Sequence, residues 1–150
     1  MKDITRKLIN LFKQGYCTPQ IARIAKQIKE PSTTIHYNIK KLEKEGAIKS
    51  YKAVFDYKKI DQGNCTYILV NLSRDNYGDP EQIATELAKD DKVESIDICT
   101  GDYELLIKLR TKDTDEYYEW VKSKVKKYNF SKSYSITSLK QIKTEFVNLS

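Results

Sequence analysis

The stretch from Ser32 to Lys44 carries polar side chains whose order suits contact with nucleic acid. Ile35, Ile39 and Leu42 are spaced for one face of a helix, so we expect them to point inward. The remaining surface carries hydroxyl and aromatic groups first and lysines later: Ser32, Thr33, Thr34, His36, Tyr37, Lys40 and Lys41. The first turns of such a helix can reach base edges in the major groove, and later cations can meet phosphates. We interpret these side chains as candidate DNA contacts. The alternative is a lysine-bearing face that is only solvated.

Two helices joined by a tight turn are predicted to position those side chains. The first should begin with Thr18 as its N-cap and Pro19 at the first helical position. Its apolar face would consist of Ile21, Ile24, Ala25 and Ile28. Pro31 prevents this helix from continuing, and Ser32 is expected to cap the second. The second helix should end at Gly46, a residue suited to the left-handed conformation that closes helices.

The helical pair belongs to a predicted DNA-binding domain that covers residues 1–56. A preceding helix is expected over residues 3–14, where apolar residues share one face. The segment after Gly46 is interpreted as a short β wing with its strand at residues 53–55, and Lys49 is available there for a phosphate. Three helices followed by a wing would make a winged helix-turn-helix.

Positive charge is concentrated in this same part of the chain. The 150 residues include 27 Lys and Arg against 21 Asp and Glu, a net charge of +6. Residues 1–56 hold 12 of those basic residues and 5 of the acidic ones, whereas the rest of the chain holds 15 and 16. A basic module joined to a nearly neutral one is the charge pattern of a DNA-binding domain attached to a domain with another task.

The polar residues 57–64 are predicted to link this domain to a second one, residues 65–150. Strands are expected at 65–72, 93–99, 103–110 and 133–146, and helices at 80–89 and 114–128. Asp79 should cap the first of these helices, and the last strand should be interrupted near Leu139. The order βαββαβ predicts a ferredoxin-like antiparallel sheet with both helices on one face. The whole chain is therefore expected to be of the α+β class.

The face of this sheet opposite the helices is predicted to be an interface between two copies. The apolar candidates for that face are Tyr67, Leu69, Ile98, Leu106 and Ile136. They offer too much apolar surface to leave in water, so we expect a homodimer through the second domain. The alternative is a monomer whose own N-terminal domain covers the face.

No catalytic or metal-binding constellation is apparent in the sequence. The one histidine lies in the candidate DNA helix, and Cys17, Cys65 and Cys99 are too far apart for a zinc site or a disulfide framework. The sequence has neither an apolar run long enough to span a membrane nor a cleavable leader. We therefore predict a cytoplasmic protein that is not an enzyme, holds no metal or cofactor and does not bind membranes.

The whole chain resembles the Lrp/AsnC family, the feast/famine transcription regulators. The resemblance lies in the helix-turn-helix with its LEKEGAI motif, in the length of the linker, and in the βαββαβ domain with the turn TGDYEL at residues 100–105. Two positions depart from the family pattern. Asn38 stands where many relatives have arginine, and Glu104 stands where aspartate is frequent.

This resemblance implies a sequence-specific DNA-binding regulator that forms dimers, often assembled into tetramers or octamers. It also implies control by an amino acid or a similar small effector. The positions that match the family's DNA contacts are Thr33, Thr34, His36, Tyr37 and Lys40. The positions that match its effector loop are Thr100, Gly101, Asp102 and Tyr103. Two alternatives stay open: an architectural DNA-binding protein without an effector, and an enzyme like the family's sirohaem decarboxylase relatives.

Overall fold

The computed structural model describes residues 1–73, 79–144 and 149, and the chain divides into two compact units, residues 1–55 and 56–150. The first unit contains three helices: α1 (Asp3–Lys13), α2 (Ile21–Ile28) and α3 (Ser32–Lys44). The second unit follows the order β1 (Asn64–Asn71), α4 (Pro80–Leu87), β2 (Val93–Ile98), β3 (Leu105–Thr111), α5 (Thr114–Tyr128) and β4 (Lys132–Ser138). The predicted α+β class and the ferredoxin-like βαββαβ order are thus confirmed.

The helix-turn-helix begins later than the sequence predicted. Gln20 is the N-cap of α2, and its carbonyl accepts the first helical bond from the Ile24 amide at 3.0 Å. Thr18 and Pro19 therefore precede the helix, and their predicted capping roles are wrong. Pro31, in an extended conformation, is the N-cap of α3, so Ser32 lies in the first turn and does not cap it.

The segment that follows α3, residues 47–55, does not form the predicted β strand. None of residues 1–55, all of which the structure describes, is part of a strand. A strand needs a neighbour for its backbone groups, and this unit supplies only helices. The segment bonds to α3 and to the connection between α1 and α2 instead: the Ile48 amide donates to the Leu42 carbonyl at 3.1 Å, and the Cys17 thiol donates to the Tyr51 carbonyl at 3.6 Å.

The second unit is built on a four-stranded antiparallel sheet with the strand order β2-β3-β1-β4. Both helices cover one face, where the core consists of Ile68, Val70, Leu72, Ile83, Ala84, Leu87, Leu105, Ile107, Leu109, Trp120 and Tyr128. Asp79 caps α4 by accepting from the Gln82 amide at 3.0 Å, as predicted. Asp113 caps α5 in the same way through the Glu116 amide at 2.9 Å.

The opposite face of the sheet, which neither α4 nor α5 covers, carries four of the five predicted apolar residues. Tyr67 pairs with Ile136 across β1 and β4, and Leu69 pairs with Leu106 across β1 and β3. Residues directly opposite each other in a sheet point to the same side. Ile98 pairs with the buried Leu105 and so belongs to the helix-covered side, which makes its predicted place on the open face wrong.

The predicted linker, residues 57–64, has structure of its own within the second unit. Tyr57–Ile60 forms a 3-10 helix, and Asn64 already belongs to β1. The Arg110 guanidinium lies 4.0 Å from the centre of the Tyr57 ring and also donates to Glu94 at 2.8 Å. The segment is therefore packed against the sheet. At the other end β4 stops at Ser138, short of the predicted 146, and residues 145–148 lie outside the described residues.

Candidate DNA-binding helix and effector turn

Helix α3 buries one side and presents the candidate DNA contacts to solvent. Ile35 is 6% exposed and Ile39 is half-buried, whereas Tyr37 is 68% exposed. The eight predicted DNA-contact residues are all exposed: Ser32, Thr33, Thr34, His36, Tyr37, Lys40, Lys41 and Lys49. Leu42, which was expected to point inward, is 43% exposed, so the buried side of α3 is narrower than the periodicity predicted.

Two of the lysines on α3 already have carboxylate neighbours. Lys40 Nζ lies 3.2 Å from Glu43 Oε2, and Lys41 Nζ lies 4.0 Å from Glu45 Oε1. Ion pairs this exposed are weak, typically about 0.2–1 kcal/mol. A phosphate that carries full negative charge can therefore replace the carboxylate at little cost. Both ammonium groups remain usable for a DNA backbone.

Glu43 also fastens the segment after α3 to the helix. The Tyr51 hydroxyl donates to Glu43 Oε1 at 2.9 Å. This hydrogen bond, together with that from Lys40, lowers the pKa of Glu43. Burial and the nearby Glu43 raise the pKa of Tyr51. This contact was not predicted, although Glu43 stands in the LEKEGAI motif just before the segment. Lys49 lies in the short span between Gly46 and Tyr51.

Asn38, at the position where the family often has arginine, makes a hydrogen bond within its own helix. Its Nδ2 donates to the Thr34 carbonyl at 2.8 Å, one turn earlier on the same helix. The side-chain amide of Asn38 therefore already has a hydrogen-bond acceptor within its own helix.

The candidate effector turn connects β2 to β3. Thr100, Gly101 and Asp102 are exposed, and Tyr103 is half-buried. Gly101 has φ +97°, and a Cβ added there would meet no atom within 4 Å. Glycine is thus needed for the backbone conformation and not for lack of space. The turn leaves open volume beside its backbone.

Glu104 anchors this turn to the central strand. Its carboxylate Oε2 accepts from the Leu72 amide at 3.1 Å, and its own amide donates to the Val70 carbonyl at 3.0 Å. Its carbonyl accepts from the Cys99 amide at 2.8 Å, which closes the turn. From the sequence, Glu104 was recognised only as a departure from the family pattern. No local signal reveals the bond, because its partner lies 32 residues away.

The rest of the described chain offers no competing chemical centre. Within residues 1–73 and 79–144, no group of three or more His, Cys, Asp or Glu is placed to hold a metal ion. An open depression of about 450 Å³ lies beside α4, but its lining includes Asp79, Glu81 and Glu86. These carboxylates would repel the carboxylate of an amino acid. Over the same ranges, no helix is long and apolar enough to cross a bilayer.

Similar proteins share both the sequence pattern and the fold. Residues 65–147 match the family model of the Lrp/AsnC ligand binding domain. An uncharacterized HTH-type transcriptional regulator of Pyrococcus abyssi is 31% identical over 116 residues, which cover 77% of each chain. Further curated relatives are also named as regulators, which confirms the prediction that the protein is not an enzyme.

Two solved structures illustrate the likeness in fold. An AsnC family transcriptional regulator of Agrobacterium tumefaciens has a TM-score of 0.76 at 18% identity, covering 99% of this chain and 97% of the other. A feast or famine regulatory protein of M. tuberculosis, solved in complex with L-methionine, has a TM-score of 0.77 at 13% identity, covering 99% of both chains.

Proposed function

This chain belongs to the Lrp/AsnC family of transcriptional regulators, and we propose that it binds specific sequences of duplex DNA as a dimer or larger assembly, controlled by an amino-acid effector. One observation carries the proposal: the exposed side of α3 bears hydroxyls and an aromatic ring before its lysines, in the basic part of the chain.

In the proposed complex, residues at the start of α3 contact base edges, and the lysines bind the phosphate backbone of the DNA. Thr33 and Tyr37 lie one turn apart and are exposed, as base contacts in the major groove require. Lys40, Lys41 and Lys49 follow and meet phosphates. Because phosphate contacts release counterions, affinity should fall steeply as salt rises.

The effector is proposed to bind at the turn from Thr100 to Tyr103. The positive φ of Gly101 leaves the backbone accessible, and backbone N–H groups in such turns can hold a carboxylate. The exposed carboxylate of Asp102 would accept from an α-ammonium group. The M. tuberculosis protein solved with L-methionine supports an amino acid as the ligand class.

A second copy of the chain is proposed to cover the open face of the sheet. Tyr134 and Ile136 on this face are 56% and 50% exposed, beside the half-buried Tyr67, Leu69 and Leu106. A contiguous apolar patch of this kind marks an interface, and a two-fold axis lets the same patch serve both copies. Tetramers or octamers of such dimers are the larger assemblies that the family resemblance implies.

Selection of DNA sequences by the purified protein tests this function. Random duplexes are enriched on the protein with and without a panel of amino acids, and the recovered sequences are compared. We expect a pseudo-palindromic motif with half-sites about one helical turn apart, and one amino acid that changes its recovery. Recovery without any sequence preference would instead indicate an architectural DNA-binding protein.

A further inference from the structure

The second unit contains a strongly basic segment that lies outside both α3 and the effector turn in the sequence. Residues 57–119 hold 8 Lys and Arg against 15 Asp and Glu, whereas residues 120–144 hold 7 lysines and no acidic residue. This part of the chain is therefore nearly neutral only in total, since its acidic and basic residues lie in separate stretches. Its basic part comprises the second half of α5, β4 and the residues that follow.

Four of these lysines lie on the second half of α5 and at the start of β4. We name them the α5–β4 basic surface: Lys122, Lys126, Lys127 and Lys132. All four are exposed, and in the described part of the chain none of them pairs with a carboxylate. Lys124 differs, because its Nζ lies 2.8 Å from Asp90 Oδ2 and serves the fold. Among the described residues, the four positive charges of this surface therefore have no ion-pair partner.

Three of these lysines lie over aromatic rings, which restrict the side chains but do not neutralise their charge. Lys122 Nζ lies 5.8 Å from the centre of the Tyr118 ring, and Lys127 Nζ lies 5.0 Å from that of Tyr128. Lys132 Nζ lies 5.9 Å from the centre of the Tyr103 ring. The aliphatic stems can rest on apolar surface while the ammonium groups stay in water. An anion would therefore meet cations whose positions are already restricted.

The helix dipole explains only part of this surface. Cations in the last turn of a helix are favourable in themselves, which accounts for Lys126 and Lys127. It does not account for Lys122, near the middle of α5, or for Lys132 on β4. Nor does it explain why 25 consecutive residues of an otherwise acid-rich unit lack any carboxylate.

We propose that the α5–β4 basic surface binds the phosphate backbone of duplex DNA without regard to base sequence. It would be a second DNA contact, separate from that of α3. This inference rests on the proposed function, since it assumes that α3 engages the same duplex. Phosphate contacts of this kind add affinity and salt dependence but carry no sequence information.

The test is the salt dependence of DNA binding by the full-length protein. In one variant Lys122, Lys126 and Lys127 are all changed to Gln, and affinity for the selected DNA site with long flanks is measured by fluorescence anisotropy over a salt series. Each lost phosphate contact lowers the slope of log affinity against log salt by about 0.9. We expect a reduction of about 2–3 for the triple variant.

Two controls separate a contact from a change in net charge or in folding. Changing Lys59, Lys89 and Lys112 to Gln removes the same charge from exposed sites elsewhere in the second unit, and should leave the slope nearly unchanged. Changing Lys122, Lys126 and Lys127 to Arg keeps the charge and should retain the slope. Equal slopes for the two Gln variants would overturn this inference alone. A wild-type protein that does not bind DNA would overturn the proposed function as well.

Discussion

Replacing Tyr37 by alanine should separate DNA recognition from folding. Tyr37 is 68% exposed, so its loss removes little packing, and alanine is the better helix former. We expect the free energy of unfolding to change by less than about 0.5 kcal/mol. Loss of one base contact should cost about 1–3 kcal/mol at the preferred site. Since about 1.4 kcal/mol is a factor of ten, that cost corresponds to a roughly 5- to 150-fold lower affinity.

Fluorescence anisotropy with the selected site and with scrambled DNA measures this effect. Tyr16→Ala is the matched control, because Tyr16 lies outside α3 and is 67% exposed. It should leave both affinities unchanged. Tyr37→Phe separates the hydroxyl from the ring, since only a lost hydrogen bond would weaken that variant. An equal fall of both affinities in Tyr37→Ala would refute the reasoning and make Tyr37 a backbone contact.

Three further predictions concern the second unit. Asp102→Ala should abolish amino-acid binding in calorimetric titration while DNA affinity stays unchanged; intact binding would place the effector elsewhere. Leu87→Ala should lower the free energy of unfolding in urea by about 2–5 kcal/mol, because Leu87 is 0% exposed and truncation leaves a cavity. Burial raises the pKa of Asp90, but hydrogen bonds from Lys124, a backbone amide and Trp120 outweigh it and lower that pKa overall. Its stabilising contribution is therefore present above the ordinary aspartate pKa and lost as the pH falls through the lower folded-state value. Urea unfolding of Asp90→Asn should show a loss at pH 7 that shrinks in acid, and a pH-independent loss would contradict this.

The regular alternation of apolar and polar residues allowed the helices and strands of the second unit to be predicted in detail. The predicted helix at residues 114–128 coincides with α5, because Trp120 and Tyr128 are buried while Lys122, Lys126 and Lys127 are exposed. The strand pairing could also be anticipated from the order βαββαβ. Ile98 was misplaced because the sequence of β2 does not show which alternate set of side chains faces the helices; Ile98 shares its side with Ile96, which packs against the core.

Contacts between distant residues set the limit of prediction in the first unit. The predicted wing strand failed because a strand depends on a partner that its own residues do not specify. The exposure of Tyr37 followed from helical spacing alone. The hydrogen bond from Tyr51 to Glu43 did not follow from spacing, and in the second unit neither did the bond from the Leu72 amide, just after β1, to Glu104.

The affinity of the wild-type protein for its selected sequence, compared with scrambled DNA of the same length and composition, tests the central claim most directly. Both should be measured by anisotropy at the same physiological salt concentration, because salt changes the two affinities differently. If α3 reads bases, the selected site should bind at least about 1,000-fold more tightly than the scrambled duplex. Equal affinity for the two duplexes would contradict sequence-specific regulation by this protein.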